Sequence, residues 1–372
     1  MEELVQRCVS LIKRGYRKER IIEEIPAEYD AEEIYEIAKC RIKIKEKFSK
    51  KNLYFDEIAL RYSTPEIIGR YRADKIRNLR IFDVSCGCGM QAIFFAMTNE
   101  FVLGADIEER RIRYARKNAM AYGVDNVEFI VLDALSDEAL RISKDFDIIY
   151  SDPARAESER ERRLDNLMPP PLRIIERYGD RYYIFDLPPQ IRRDRIPTNW
   201  NLEYISLNGK INRLTAYINE SSDGLRTATT LPAKVSISGY GDEDYSVDSS
   251  IGDFLYEVDE SVYYSSLLGE LQKRVGDFWY ISIGRRRTLA SSYKEIDNPF
   301  LRKFIVVGIA ETMDGAVKIL RKNFFGKVTL RISIEPKDYW SVRKEIERKL
   351  SGKRKGYLFY GADKYIVCEE VS

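Results

Sequence analysis

The chain has 372 residues, of which 44% are hydrophobic and 33% charged, and a net charge of +2. This is the composition of a globular protein of two or three domains, and it excludes an intrinsically disordered chain. Histidine is absent, which removes Ser-His-Asp hydrolases, Cys-His proteases and every metal site or acid–base mechanism that needs imidazole.

Residues 1–78 carry helical periodicity, interrupted at Pro26 and at Ser63-Thr64-Pro65. The triplet reads as a helix start, with Thr64 as N-cap and Pro65 at the first helical position. From Leu79 the pattern changes to short apolar strands separated by helix-length segments. The strands are expected at Leu79–Val84, Phe101–Ala105, Val127–Val131, Phe146–Tyr150 and Tyr182–Leu187. Such alternation predicts an α/β fold with a parallel sheet covered by helices on both faces. LEYISLNGKINRLTAYI follows, two strand patterns joined by Asn208-Gly209, the preferred pair for a type I′ turn. The sheet should therefore end in an antiparallel hairpin.

Residues 219–250 are rich in Ser, Thr, Asp and Gly and are expected as an acidic, extended connector, with at most a strand around Ala233–Ser238. Between Asn219 and Glu260 ten acidic residues face only Arg226 and Lys234. Residues 251–372 alternate helix and strand again and are expected as a small second α/β domain. From Glu270 onward 22 Lys/Arg stand against 13 Asp/Glu. Charge runs are in general solvated faces, but a basic terminal domain also suits a polyanion such as RNA. Within it, ILRKNFFGKVTLR interleaves Lys318, Arg321, Lys322 and Lys327 with Phe324 and Phe325. That pattern is either an amphipathic helix with both rings in the core or a surface for phosphate contact and base stacking.

The stretch Asp83–Ala92 (DVSCGCGMQA) directly follows the first strand. Gly87 and Gly89 allow a tight turn and close ligand approach before a helix begins near Met90. Taken alone, Gly87, Gly89 and Ala92 also fit a dinucleotide fingerprint. Acids at the strand ends separate the readings: Asp83 after the first strand, Asp106 after the second, Asp133 after the third and Asp152 after the fourth. A single strand-end Asp is in most proteins a cap or turn residue. Four in register beside a Gly-x-Gly turn ring one crevice, where open α/β sheets bind ligands.

With these residues the chain resembles the class I S-adenosylmethionine-dependent methyltransferases over residues 79–218. The resemblance implies a Rossmann-like sheet with a final antiparallel hairpin and S-adenosylmethionine as cofactor. It makes Asp83, Ser85, Cys86, Gly87 and Gly89 the cofactor loop, Asp106 and Ile107 the ribose side, and Asp133 and Ala134 the adenine side, with Asp152 bordering the cofactor. A narrower likeness rests on Ser151-Asp-Pro-Ala-Arg155, the proline clusters LMPPPL and FDLPPQI, the hairpin and the charged C-terminal region. These resemble a methyltransferase family with an Asp-Pro-Ala-Arg motif and a THUMP-like C-terminal domain, which implies structured RNA, tRNA or rRNA, as substrate. The chain is also distantly similar to trimethylguanosine synthases, although their aromatic residue after the proline pair is missing.

Methyl transfer from a sulfonium needs an acceptor lone pair held in line, and no protein nucleophile or metal. Asp152 is the residue expected to orient the acceptor, with the Pro153 carbonyl shaping the same edge and Arg155 stacking on a base or binding phosphate. A purine nitrogen is the expected acceptor. Pyrimidine C5 methylation needs a cysteine nucleophile, and none occurs between Cys88 and Cys368. Cys86 and Cys88 are read as small turn residues. The charged stretch Arg155–Arg163 is either a loop over the site mouth or a solvated helix. Neither a metal nor a membrane partner is expected, and no apolar run reaches the ~20 residues of a membrane span. The charged start lacks a signal-peptide pattern, so a cytoplasmic location is expected. The alternatives are a methyltransferase for a small molecule or protein, a non-catalytic RNA-binding protein keeping the fold, and an NAD-linked oxidoreductase.

Overall fold

The computed structural model describes residues 1–155, 161–241 and 244–371. They form two compact units: Met1–Asn201 with Thr215–Asp223, and Leu202–Leu214 with the chain from Gly224 onward. The first unit opens with helices α1 (Glu2–Lys13), α2 (Lys18–Glu23), α3 (Ala31–Lys43), α4 (Glu57–Tyr62) and α5 (Glu66–Lys75). Asp30 and Asp56 cap α3 and α4, their carboxylates accepting the N–H groups of Glu33 and Ala59. Helix α5 starts one residue later than the triplet Ser63-Thr64-Pro65 suggests, and Pro65 is its N-cap residue. Thr64 is instead buried. The Glu66 N–H donates to the Lys47 carbonyl at 3.0 Å, which satisfies one of the helix's first N–H groups.

The sheet of this unit contains β1 (Arg80–Asp83), β2 (Phe101–Asp106), β3 (Val127–Val131), β4 (Ile148–Ser151) and β7 (Tyr182–Leu187). Between β4 and β7 lie two short strands, β5 (Ala154–Arg155) and β6 (Leu167–Met168), paired with each other antiparallel. The five long strands are parallel in the order β3-β2-β1-β4-β7. Helices α6 (Met90–Ala96), α7 (Glu109–Tyr122), α8 (Asp137–Ser143) and α9 (Pro171–Tyr178) occupy the connections. Ile81, Ile148 and Ile184 of the sheet pack with Ile93 and Phe94 of α6, Ile112 and Ala115 of α7 and Ile34 and Ile37 of α3, all buried. The N-terminal helices therefore share the sheet's core.

The second unit begins at Leu202 within β8 (Asn201–Leu207), which turns back through Asn208 and Gly209 into β9 (Lys210–Ile218). Both turn residues have positive φ, +52° and +78°, as a type I′ turn requires. The end of β9, Thr215–Ile218, belongs to the first unit, where it borders β7. Residues 219–250 are more ordered than an extended connector: they contain β10 (Arg226–Leu231) and β11 (Val235–Gly239). β10 pairs parallel to β8 and antiparallel to β11. Hydroxyls facing each other across that last pair hydrogen-bond, Thr227 with Ser238 at 2.9 Å and Thr229 with Ser236 at 2.8 Å. Such cross-strand pairs make a Ser/Thr-rich segment a competent strand.

A second sheet joins β12 (Phe254–Val258), β13 (Trp279–Ser282), β14 (Thr288–Ser292), β15 (Leu301–Ala310), β16 (Phe325–Arg331), β17 (Arg354–Gly361) and β18 (Lys364–Glu370). Its order is β13-β14-β12-β15-β18-β17-β16, antiparallel except for the β16–β17 pair. Helices α10 (Glu260–Ser265), α11 (Leu268–Val275), α12 (Met313–Lys322) and α13 (Tyr339–Arg348) complete the unit. The strand–helix–strand pattern expected from Lys303 to Ile334 is β15–α12–β16. Among the described residues no helix is long and apolar enough to cross a membrane.

Candidate active site

The site is assembled at the carboxyl ends of the parallel strands, where the connections to the following helices leave polar backbone exposed. β1 ends at Asp83, β2 at Asp106 and β4 one residue before Asp152, while Asp133 lies two residues beyond β3. The parallel register sets Asp83 opposite Gly104 and Tyr150, and Asp106 opposite Val131. The four acids therefore stand along one edge of one sheet.

The loop after β1 is built around its glycines. Gly87 has φ +52° and Gly89 φ +80°. A Cβ on Gly87 would meet no atom within 4 Å, so this backbone faces open space. Gly89 serves packing instead, since a Cβ there would stand 2.7 Å from Ala115 and 2.9 Å from Phe129. Gly104 in β2 is equally crowded, 2.6 Å from Phe129. The Cys86 N–H donates to the Ala105 carbonyl and the Gly89 N–H to the Cys86 carbonyl, which closes the turn. Burial pushes the thiols of Cys86 and Cys88 well above the usual thiol range. Neutral, small side chains in a tight turn are what that leaves.

Asp106 is fixed by the same loop. Its Oδ2 accepts the Gly87 N–H at 2.9 Å and its Oδ1 accepts the Glu108 N–H at 2.9 Å. Each oxygen keeps a lone pair for a hydroxyl. Ile107 beside it is 71% exposed, an apolar side chain with no core to enter. Asp133 is exposed, with Oδ1 accepting the Leu135 N–H at 2.8 Å. Ala134 is buried, and its carbonyl accepts from the Tyr178 hydroxyl. Open backbone at Gly87, two anchored carboxylates able to accept further hydrogen bonds and an exposed apolar residue together fit an adenosine with a free ribose diol.

Asp83 lies deeper and is buried, with Oδ1 accepting the Ser85 N–H at 3.2 Å. Burial, aided by the negative charges of Asp152, Asp106 and Asp186, raises its carboxyl well above the usual range. The Ser85 hydroxyl pairs with that of Ser151 at 2.7 Å, tying the loop to the end of β4. Pro153 is buried and Asp152 half-buried. The Arg155 guanidinium sits 5.5 Å from the centre of the Tyr62 ring at the end of α4, a cation–π contact. Residues 156–160, part of the segment expected over the mouth, lie outside the described residues. A cleft of about 480 Å³ is lined by Arg163 and Leu164 ahead of β6, Leu172 on α9, and Arg195 and Ile196 after β7, and none of the four strand-end acids lines it. Among the described residues no cluster of acidic or thiol side chains has the makings of a metal site.

Sequence reasoning missed the support beneath the acids. Arg72 of α5 is wholly buried and pairs with Asp186 of β7 at 2.8 Å. It also donates to Gln91 at 2.7 Å, to the Tyr150 hydroxyl at 3.1 Å and to the Thr215 hydroxyl at 3.1 Å. Tyr150 and Thr215 in turn donate to the two oxygens of Asp186. This cluster joins α5, α6, β4, β7 and β9. The one available signal was Asp186 inside an otherwise apolar strand, FDLPP.

Residues 75–184 match the family model of a methyltransferase domain. The chain is 33% identical over 84 residues to an uncharacterised RNA methyltransferase of Caldanaerobacter subterraneus, covering 23% of this chain and 18% of that protein. It is 32% identical over 98 residues to the trimethylguanosine synthase of Saccharomyces cerevisiae, covering 25% of this chain and 31% of that one. The match thus spans under a third of either curated relative. A solved structure from Porphyromonas gingivalis, described as a candidate methyltransferase, shares the fold across 100% of this chain and 99% of its own, with TM-score 0.76 and 16% identity. Residues 75–184 therefore form a methyltransferase domain with S-adenosylmethionine as its cofactor, on a fold shared with the Porphyromonas gingivalis structure.

Proposed function

We propose that the protein methylates a base in structured RNA, tRNA or rRNA, at a purine nitrogen. The observation that carries this reading is the placement of Asp152 and the Asp-Pro-Ala-Arg segment one strand beyond the acids suited to adenosine. The names of the two curated relatives, an RNA methyltransferase and a trimethylguanosine synthase, support a nucleic-acid acceptor. The absence of a cysteine between Cys88 and Cys368 speaks against a pyrimidine-C5 mechanism.

In this reading the loop Asp83–Gly89 cradles the cofactor, with the Ser85, Cys86 and Gly87 backbone against its amino-acid end. Asp106 accepts the two ribose hydroxyls with Ile107 beside it, and Asp133 with Ala134 meets the adenine edge. When bound, S-adenosylmethionine supplies an electrophilic methyl group on a sulfonium. Asp152 accepts a hydrogen bond from the acceptor amine and aims its lone pair at that methyl. The Pro153 carbonyl borders the same edge, and Arg155 stacks on the base or holds a phosphate. The second unit serves as a THUMP-like RNA-binding domain, a role supported by the basic excess from Glu270 onward, 22 Lys/Arg against 13 Asp/Glu.

Replacement of Asp152 by Asn tests the assignment. It keeps the shape and turns one acceptor oxygen into a donor, so an N–H of the substrate meets repulsion. Cofactor affinity and melting temperature should stay near the parent's while single-turnover transfer falls about 10²–10³-fold. A stable variant with the full single-turnover rate removes Asp152 from catalysis.

A further inference from the structure

We propose that Phe324 of the second unit is a base-stacking platform that seats an unpaired nucleotide of the RNA, with a collar of cations for the flanking phosphates. The inference rests on RNA being the substrate. Of the two neighbouring rings, Phe325 is fully buried in the core of α12, β16 and β17. Phe324 is 73% exposed. Its backbone has φ +59°, a left-handed conformation that glycine or asparagine adopts more cheaply. A large ring there adds backbone strain and leaves apolar surface in water, so folding gains nothing from it. Strain kept at an exposed aromatic points to a ligand.

The backbone that carries the ring is held on both sides. The Phe324 N–H donates to the Arg321 carbonyl at 3.1 Å, and Arg354 donates to the Asn323 carbonyl at 3.3 Å. A Cβ on Gly352 would lie 1.6 Å from the Phe324 carbonyl oxygen, so only glycine admits this approach of the two loops. The loops meet because β16 and β17 are parallel and begin at the same edge, Phe325 opposite Arg354 and Lys327 opposite Lys355.

Charge supplies the ligand class. Residues 318–327 hold four cations and no acid, and residues 348–355 hold five cations and no acid. Arg354 is committed to Glu369 and Lys349 to Glu345. Arg321, Lys322 and Lys353 are exposed, and none of them has an ion-pair partner among the described residues. Cations around one exposed ring match phosphates around one splayed base.

The test measures binding of the full chain to a labelled single-stranded RNA oligonucleotide and to an RNA duplex of equal length, by fluorescence anisotropy. Phe324→Ala should weaken single-strand binding about 5- to 150-fold, the range one base–aromatic stack spans, and leave duplex binding unchanged. Phe324→Trp should restore it. Phe324→Gly should raise the melting temperature, by relieving the positive φ, yet bind as weakly as Phe324→Ala. The pair Lys322→Gln with Lys353→Gln should lower the log–log salt slope for single strands by up to about 0.7 per contact. Parent-like binding by Phe324→Ala overturns the stacking site and leaves the RNA reading intact. A parent chain that binds neither RNA overturns that reading and this inference together.

Discussion

The Gly87 N–H and the Asp106 carboxylate meet at 2.9 Å, so the turn after β1 and the end of β2 are a single hydrogen-bonded unit. Asp106 thus shapes the loop as well as facing the crevice. Asp106→Ala is expected to weaken S-adenosylmethionine binding by about 2–4 kcal/mol, because charge-assisted bonds to two hydroxyls disappear. Asp106→Asn keeps an acceptor for one backbone amide and should lose less. Calorimetric titration checks both, and unchanged affinity in the Ala variant removes the residue from the site.

The buried Arg72–Asp186 pair predicts a stability effect that depends on which partner is lost. Arg72→Met leaves the Asp186 carboxylate buried without its cation and should cost about 3–5 kcal/mol in urea denaturation. Adding Asp186→Leu should recover a large part of that, because no uncompensated charge remains. A double variant as unstable as the single one contradicts this account.

Asp83 predicts a pH effect of definite sign. Its folded-state pKa is raised, so the folded chain keeps a proton that the unfolded chain gives up near 3.8. The stability associated with that proton is complete below about 3.8 and is lost as pH rises towards the raised folded value. Asp83→Asn keeps an acceptor for the Ser85 N–H and cannot ionise. The melting temperature of the variant should therefore gain on the parent's as pH increases from about 4 to 7. Parallel curves would show that Asp83 does not titrate as its burial requires.

Glu2 predicts the opposite slope. The Arg41 guanidinium beside it holds its carboxyl down at about 2, against an ordinary 4.5, helped by the Tyr54 hydroxyl. Arg41 is 2% exposed and Glu2 47% exposed. This contribution is full above about 4.5 and is lost as pH falls towards 2. Glu2→Gln should cost about 1–2 kcal/mol at pH 7, a figure reduced for the exposed carboxylate. The difference from the parent should narrow as pH falls below about 4.5 and close only below about 2.

Legibility in the sequence followed the range of the interaction. The hairpin at Asn208-Gly209 was readable because two adjacent residues decide its turn, and the strand-end acids because each ends its own apolar run. Arg72 was not readable. It lies on a polar-looking helix, and its partners Tyr150, Asp186 and Thr215 come from distant segments that only the folded sheet gathers. The strand expected around Ala233–Ser238 is β11, whereas β10 was hidden by composition, since the hydroxyls of Thr227 and Thr229 read as a connector until Ser238 and Ser236 face them. Phe324 and Phe325 form a different case. Pattern alone gives adjacent rings one environment, whereas a positive φ at the first sends one outward and the other into the core.

The most direct measurement incubates the purified full chain with S-adenosylmethionine carrying an isotopically labelled methyl group and with unmodified tRNA and rRNA. The RNA is then digested to nucleosides and the label located by mass spectrometry. The account predicts label on a purine nitrogen in one RNA class, and loss of that signal in Asp152→Asn. RNA left unlabelled, with label instead on a protein or small molecule, would contradict it.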